Sequence, residues 1–145
     1  MARFSIAGRG TSVTWSSVRA IASVFGVAAT GFRVREVGVF NTTSTALAVA
    51  LVRFTNATGV GAGITAAPYD AASVIRVTGF AGHTADGAIG TVHRQATLAA
   101  AVGSGVIWTF GDSGIIVPIG TANGIGITVP TGSGQVCDFY FDIDE

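Results

Sequence analysis

Residues 32–54 read FRVREVGVFNTTSTALAVALVRF, two runs rich in β-branched and apolar residues around a polar Asn-Thr-Thr-Ser-Thr cluster. Such a pattern predicts a β-hairpin with a loop of about five residues. In the second run Leu47, Val49 and Leu51 fall on one face, and Ala46, Ala48, Ala50, Val52 and Phe54 fall on the other. Strands that are apolar on both faces are covered on both sides. One cover is expected to be a second sheet, and the other something else, which the strand by itself does not identify.

Working outward, the chain continues as short strands. Residues 3–7 and 12–15 flank the Gly8-Arg9-Gly10 turn, and 17–29 carries Val18, Val24 and Val27 with Gly26 inside, which favours strand over helix. Residues 55–72 form a long loop of small residues with a brief strand near Ile64, the kind of loop that contacts partners. Further strands are predicted at 73–80, 91–98, 105–110, 114–119 and 124–129. Gly111-Asp112-Ser113 is read as a hairpin loop between the fourth and third last of the chain's strands. In the final run, 135–145, Cys137, Phe139, Phe141 and Ile143 alternate with Asp138, Tyr140, Asp142 and Asp144. Eight to ten short strands at intervals of about 10–12 residues with no convincing helix predict an all-β chain, one antiparallel β-sandwich spanning 1–145. A jelly roll is the preferred topology, although the pattern fits other Greek keys too.

Composition sets a second constraint. The 145 residues are 49% hydrophobic and 11% charged, with mean hydropathy +0.60, 21 glycines, and eight basic residues that are all arginine. A soluble domain carries about 25% charged residues. A chain this apolar either enters a membrane or buries outer surface in an assembly. The longest uncharged stretch, 113–137, holds eight Gly or Pro residues and cannot be a spanning helix, and MARFSIAGRG lacks a signal-peptide core. Assembly with partners is therefore expected. Charge is lopsided: 1–60 carry six arginines against Glu36, a net +5, and 61–145 carry two arginines against seven acids, a net −5. The two halves either neutralise each other within one molecule or meet across copies. Arginines separated by apolar residues and a near-neutral pI argue against direct nucleic-acid binding.

No reactive constellation emerges from the motifs. Gly111-Asp112-Ser113-Gly114 spells the nucleophile loop of chymotrypsin-like proteases, with His83 and His93 upstream. Ile115 stands where that pattern needs glycine, and Asp86 precedes His93, so a turn is the better reading. His83, His93 and Asp86 match no zinc spacing. Asp138, Asp142, Asp144 and Glu145 could gather calcium, but no calcium-loop spacing accompanies them, and pairing with arginines from a neighbouring strand or copy is favoured. Asn41-Thr42-Thr43 and Asn56-Ala57-Thr58 are turn residues rather than glycosylation sites. The lone Cys137 reads as a buried, inert thiol. No cofactor, metal or catalytic residue is expected.

Three stretches taken together (Arg35-Glu36-Val37-Gly38-Val39-Phe40-Asn41-Thr42-Thr43, Gly103-Ser104-Gly105-Val106-Ile107-Trp108-Thr109-Phe110 and Gly120-Thr121-Ala122-Asn123-Gly124-Ile125-Gly126-Ile127) resemble small structural proteins of tailed bacteriophages, including β-sandwich head decoration, or cement, proteins. That resemblance implies a jelly-roll-like unit, often a homotrimer, bound to the major capsid protein on the outside of the virion after synthesis in the host bacterial cytoplasm. It also implies a role in tightening the shell. On this view Leu47, Val49, Leu51 and Trp108 are candidates for the oligomer interface, and Arg3, Arg9 and Arg19 for the capsid-facing side. The alternative is a phage tail or fibre module, or a carbohydrate-binding sandwich using Trp15, Trp108 or Tyr69.

Overall fold

The computed structural model describes residues 1–10, 18–57, 59–132 and 134–145. The predicted strand at 12–15 lies outside the described residues, as does Trp15. All regular structure among the described residues is β, in two antiparallel sheets packed face to face. Twelve strands run in chain order: β1 Arg3–Gly10, β2 Ala20–Phe25, β3 Phe32–Asn41, β4 Leu47–Phe54, β5 Ala62–Ile64, β6 Ala67–Pro68, β7 Thr78–Ala81, β8 Ile89–Leu98, β9 Gly105–Thr109, β10 Ile115–Val117, β11 Gly124–Thr131 and β12 Cys137–Asp144. One sheet is ordered β10-β3-β12-β1-β6, with β9 also on β3; the other is β5-β7-β2-β11-β4-β8.

Pairing is nested. The first strand lies on the last (β1 on β12), β2 lies on β11, β3 lies on β9 and β10, and β4 lies on β8. Strands β5 to β7 are an insertion between β4 and β8 that extends both sheets beyond β1 and β2.

The core follows the alternation in the sequence. Strand β12 buries Cys137, Phe139, Phe141 and Ile143 and turns its acids outward. They meet Phe4 and Ile6 from β1, Val34, Val37 and Val39 from β3, and Leu47, Val49, Leu51, Ile125 and Ile127 from the facing sheet. Burial pushes the Cys137 thiol up to about 11, with Asp138 adding to it, which leaves the thiol protonated and inert.

Four local expectations are corrected. Gly8-Arg9-Gly10 is not a turn but the end of β1, paired with Phe139, Asp138 and Cys137. Strands β3 and β4 are not a hairpin; they lie in different sheets, and 42–46 is an arch between them. Asn41, fully buried, builds that arch. Its Nδ2 donates to the carbonyls of Thr45 and Ala99, and its Oδ1 accepts from the Thr43 amide. Strands β9 and β10 are not a hairpin either. Both run along the same edge of β3, one after the other, and 110–114 is an excursion opposite the irregularity at Arg35. Finally, only the end of the predicted 73–80 strand is paired, as β7, because Val74 is 80% exposed and has no sheet to pack against. The brief strand near Ile64 is present as β5.

The second cover of β4 is the insertion itself. Segments 55–57, 59–61 and 82–88 cross the outer face of the sheet and hold each other through Thr55 N to Ala88 O (2.9 Å), Ala88 N to Asn56 Oδ1 (3.0 Å) and Thr84 N to Gly59 O (2.7 Å). Beneath them Phe25, Ala50, Val52 and Phe54 form a separate small core with Val60, Phe80 and Ile89. A Cβ on Gly87 would stand 2.6 Å from the Phe54 ring, so a side chain there would lift the crossing segment.

Candidate functional site

The catalytic motif is dismantled by its surroundings. Ser113 sits exposed on the 110–114 excursion, where Gly111 and Gly114 take φ +58° and +59°. Arg35 donates to both the carbonyl and Oδ1 of Asp112, and Arg33 adds a bond to the same carbonyl at 3.2 Å. The loop is therefore a clamped turn, and no described hydrogen bond joins Ser113 to a histidine.

A Ser–His pair does exist elsewhere, and the motif search missed it. Ser23 Oγ and His83 Nε2 share a hydrogen bond of 2.6 Å, with both residues buried. The imidazole lies against Phe25 and Phe54, with centroids at 6.3 and 5.7 Å, and the two phenylalanine rings are 6.1 Å from each other. Burial alone pulls His83 down to about 4, so the ring is neutral at pH 7. The pair has no opening to a substrate and serves the small core. Nothing in the spacing of Ser23 and His83 signals it, because the contact depends on 82–88 crossing back over β2.

The outer face of the β12 sheet is a ladder of pairs. Arg9 meets Asp138 through two bonds, 2.6 and 3.0 Å, and this holds the Asp138 carboxyl below its usual range. Asp144 lies between Arg3 (3.4 Å) and Arg35 (3.3 Å). Tyr69 donates to Asp142, and Tyr140 donates to Glu36 at 2.6 Å while its ring covers Gly38, where a Cβ would stand 2.1 Å from Cε1. The acids proposed as calcium ligands are thus engaged with arginines, tyrosine or backbone amides. Among the described residues no cluster of three metal-ligating side chains occurs.

Both sets of candidate contact residues are placed differently from expectation. Leu47, Val49, Leu51 and Trp108 are at most 9% exposed and face the molecule's own core, so they present nothing to another copy. They were singled out because apolar alternation looks the same whether a strand faces a neighbour sheet or a neighbour subunit. Arg3 and Arg9 share the outer face of β1, whereas Arg19 stands beside the crossing segment in an ion pair with Asp86, so the three form no common surface.

The surface that remains unsatisfied is the side where β8 faces β9 and β10. Val92 on β8 is 55% exposed, while Ile107 and Ile116, 52% and 62% exposed, alternate with core-facing neighbours and lie on the outer face of β9 and β10. Arg53 reaches across from β4 to the Ile116 carbonyl (2.8 Å), and Arg94 stacks on Phe110. His93 lies between them, its basicity lowered by burial and then by both arginines. A shallow apolar groove lined by Met1, Phe32, Ile116, Pro118 and Ile119 continues along β10. No family model, no curated protein and no solved structure matches this chain.

Proposed function

We propose that the chain is a non-enzymatic structural protein of a virion: a decoration protein that binds the outside of a phage head as a homo-oligomer, with a trimer as the first expectation. The nested strand pairing supports reading the sandwich as a jelly roll. The observation that carries the proposal is the exposed Val92, Ile107 and Ile116 on outer strands, with Ile119 just past β10, in a molecule with so few charges, four of whose arginines are already paired internally. Large aliphatic side chains on open edges gain by burial against neighbours, and repetition on a lattice multiplies weak contacts. The oligomer contact is now assigned to Ile107 and Ile116 rather than to Leu47, Val49, Leu51 and Trp108.

Light scattering in low and high salt tests the assembly step. A mass three times 14.5 kDa in both conditions supports it, followed by binding to undecorated phage shells and a higher disruption temperature for the decorated ones. A monomer that fails to bind shells overturns the proposal.

A second reading, a carbohydrate-binding module, is favoured by one observation. The Tyr69 ring is 61% exposed, is flanked by Arg3 and donates to the Asp142 carboxylate, an aromatic platform beside polar groups. Binding on a glycan array that disappears in Tyr69→Ala would move this reading ahead.

A further inference from the structure

We propose that the outer edge of β8 is a docking site for an extended, acidic segment of a different protein, which adds as a further strand beside Arg94–Leu98. The inference does not depend on the virion role. Strand β8 is ten residues long, ends its sheet and pairs only with β4. Its pairing with β4 is irregular near Val92 but regular from Arg94 to Leu98, which lie opposite Leu51 to Leu47. Long edges are usually blunted by charged side chains, proline, bulges or shortness. β8 carries a bulge near Val92 and one charge, Arg94, but from Gln95 to Leu98 it is regular, uncharged and free of proline, and its amides and carbonyls there can take a partner strand.

Charge selects the partner. Arg3, Arg9, Arg19 and Arg35 each reach a carboxylate. Among the described residues no ion pair joins Arg53 or Arg94 to one. Their donors go to the carbonyls of Ile116 and His93 instead, and His93 Nε2, buried beside them, has no hydrogen-bond partner. Asp112, on the loop between β9 and β10, is held by Arg35. Two cations and an unsatisfied imidazole therefore stand at the start of a regular free edge without an anion. A carboxylate on an incoming strand would pair with the exposed Arg94 and satisfy the charge beside Arg53 and His93, while Val92 offers apolar contact. A second copy of this chain fits worse. Its β8 would bring the same cations, and Asp138, Asp142 and Asp144 are engaged on their own sheet.

The test selects peptides from a random ten-residue mRNA-display library on the intact protein. Enriched sequences should be rich in Asp and Glu. Arg53→Gln/Arg94→Gln, and the exposed single change Arg94→Gln if the double variant folds poorly, should weaken binding tenfold or more. Amide exchange should slow within residues 94–98 when a selected peptide is bound. The proposal is overturned if no binders emerge, if binders lack acid enrichment, if acidic binders hold equally well to both variants, or if protection falls elsewhere. It is also overturned if amides 94–98 are already protected in the peptide-free protein and lose that protection when an oligomer is diluted to monomer.

Discussion

Acidification should destabilise this protein well above the pH at which its carboxylates titrate, through His83. The ring is 1% exposed, stacked on two phenylalanines, with Nδ1 unpartnered and Nε2 bonded to the Ser23 hydroxyl. The Asp86 carboxylate nearby in sequence is engaged by Arg19. Protonation would place a charge among apolar groups, so the folded protein holds His83 neutral down to about 4, against 6.5 for an unfolded histidine. Between those values the unfolded chain binds a proton that the folded one does not, so stability falls as pH falls. At about 1.36 kcal/mol per pH unit, the loss is about 3 kcal/mol by pH 4 and levels off below it. That is a large share of the about 5–15 kcal/mol typical of a domain. Asp138, with its depressed value, acts in the same direction but at lower pH: its contribution is intact above about 3.8 and is lost only below that. Urea unfolding followed by tryptophan fluorescence, from pH 7.5 to 4.2, reads the effect. Ser23→Ala/His83→Leu removes both partners of the bond and should flatten most of the slope, and His93→Gln isolates the smaller share from β8. A wild-type midpoint that stays constant across this range, or an unchanged slope in the double variant, would refute the reasoning.

Other outcomes follow from the same geometry. Gly38→Ala should cost about 1–3 kcal/mol, read by urea unfolding, because the new Cβ displaces the Tyr140 ring and breaks its bond to Glu36. Leu51→Ala should cost about 2–5 kcal/mol as a core cavity, and Ile116→Asp, at a side chain 62% exposed, should leave the urea midpoint nearly unchanged. If the edge forms the oligomer contact, Ile116→Asp lowers the mass measured by light scattering, whereas Leu51→Ala does so only when the protein unfolds. Arg35→Gln should speed amide exchange within 110–114 by tenfold or more, because Arg35 clamps Asp112; unchanged exchange would show that the loop holds itself.

How much of this was readable in the sequence depended on whether a signal was local. The alternation of β12 specified its inner and outer faces residue by residue, because one side of that strand is core and the other is solvent. The doubly apolar β4 correctly demanded two covers, and the second proved to be the chain's own insertion. The turns misled. Asn-Thr-Thr-Ser-Thr can close a hairpin or arch between sheets, and only the long-range bonds of Asn41 to Ala99 and Ser104 to Asn41 decide which. Gly-Asp-Ser-Gly likewise supports a hairpin or an excursion, and the choice belongs to Arg33 and Arg35, some eighty residues earlier. The open side at Arg53, His93 and Arg94 was hidden for a related reason: nothing in TVHRQATL tells an edge strand from an interior one.

The division of charge along the chain has a geometric cause that also narrows where partners can bind. Nested pairing lays the last strand between two early ones, so acidic β12 lies between basic β1 and basic β3. A split of +5 and −5 in sequence thereby becomes neighbouring rows of opposite sign on one face, Arg9 with Asp138 and Arg3 and Arg35 with Asp144. Of these, Arg9–Asp138 is the most exposed and contributes little to stability, while Arg35–Asp144 is mostly covered. Their larger effect is on recognition: an incoming partner would have to compete with a carboxylate already at hand. Arg53 and Arg94 escape this arrangement because their strands, β4 and β8, belong to the other sheet, away from β12. An anion approaching Arg3, Arg9 or Arg35 thus meets a carboxylate already in place, whereas at the β8 edge Arg53 and Arg94 have only carbonyl partners.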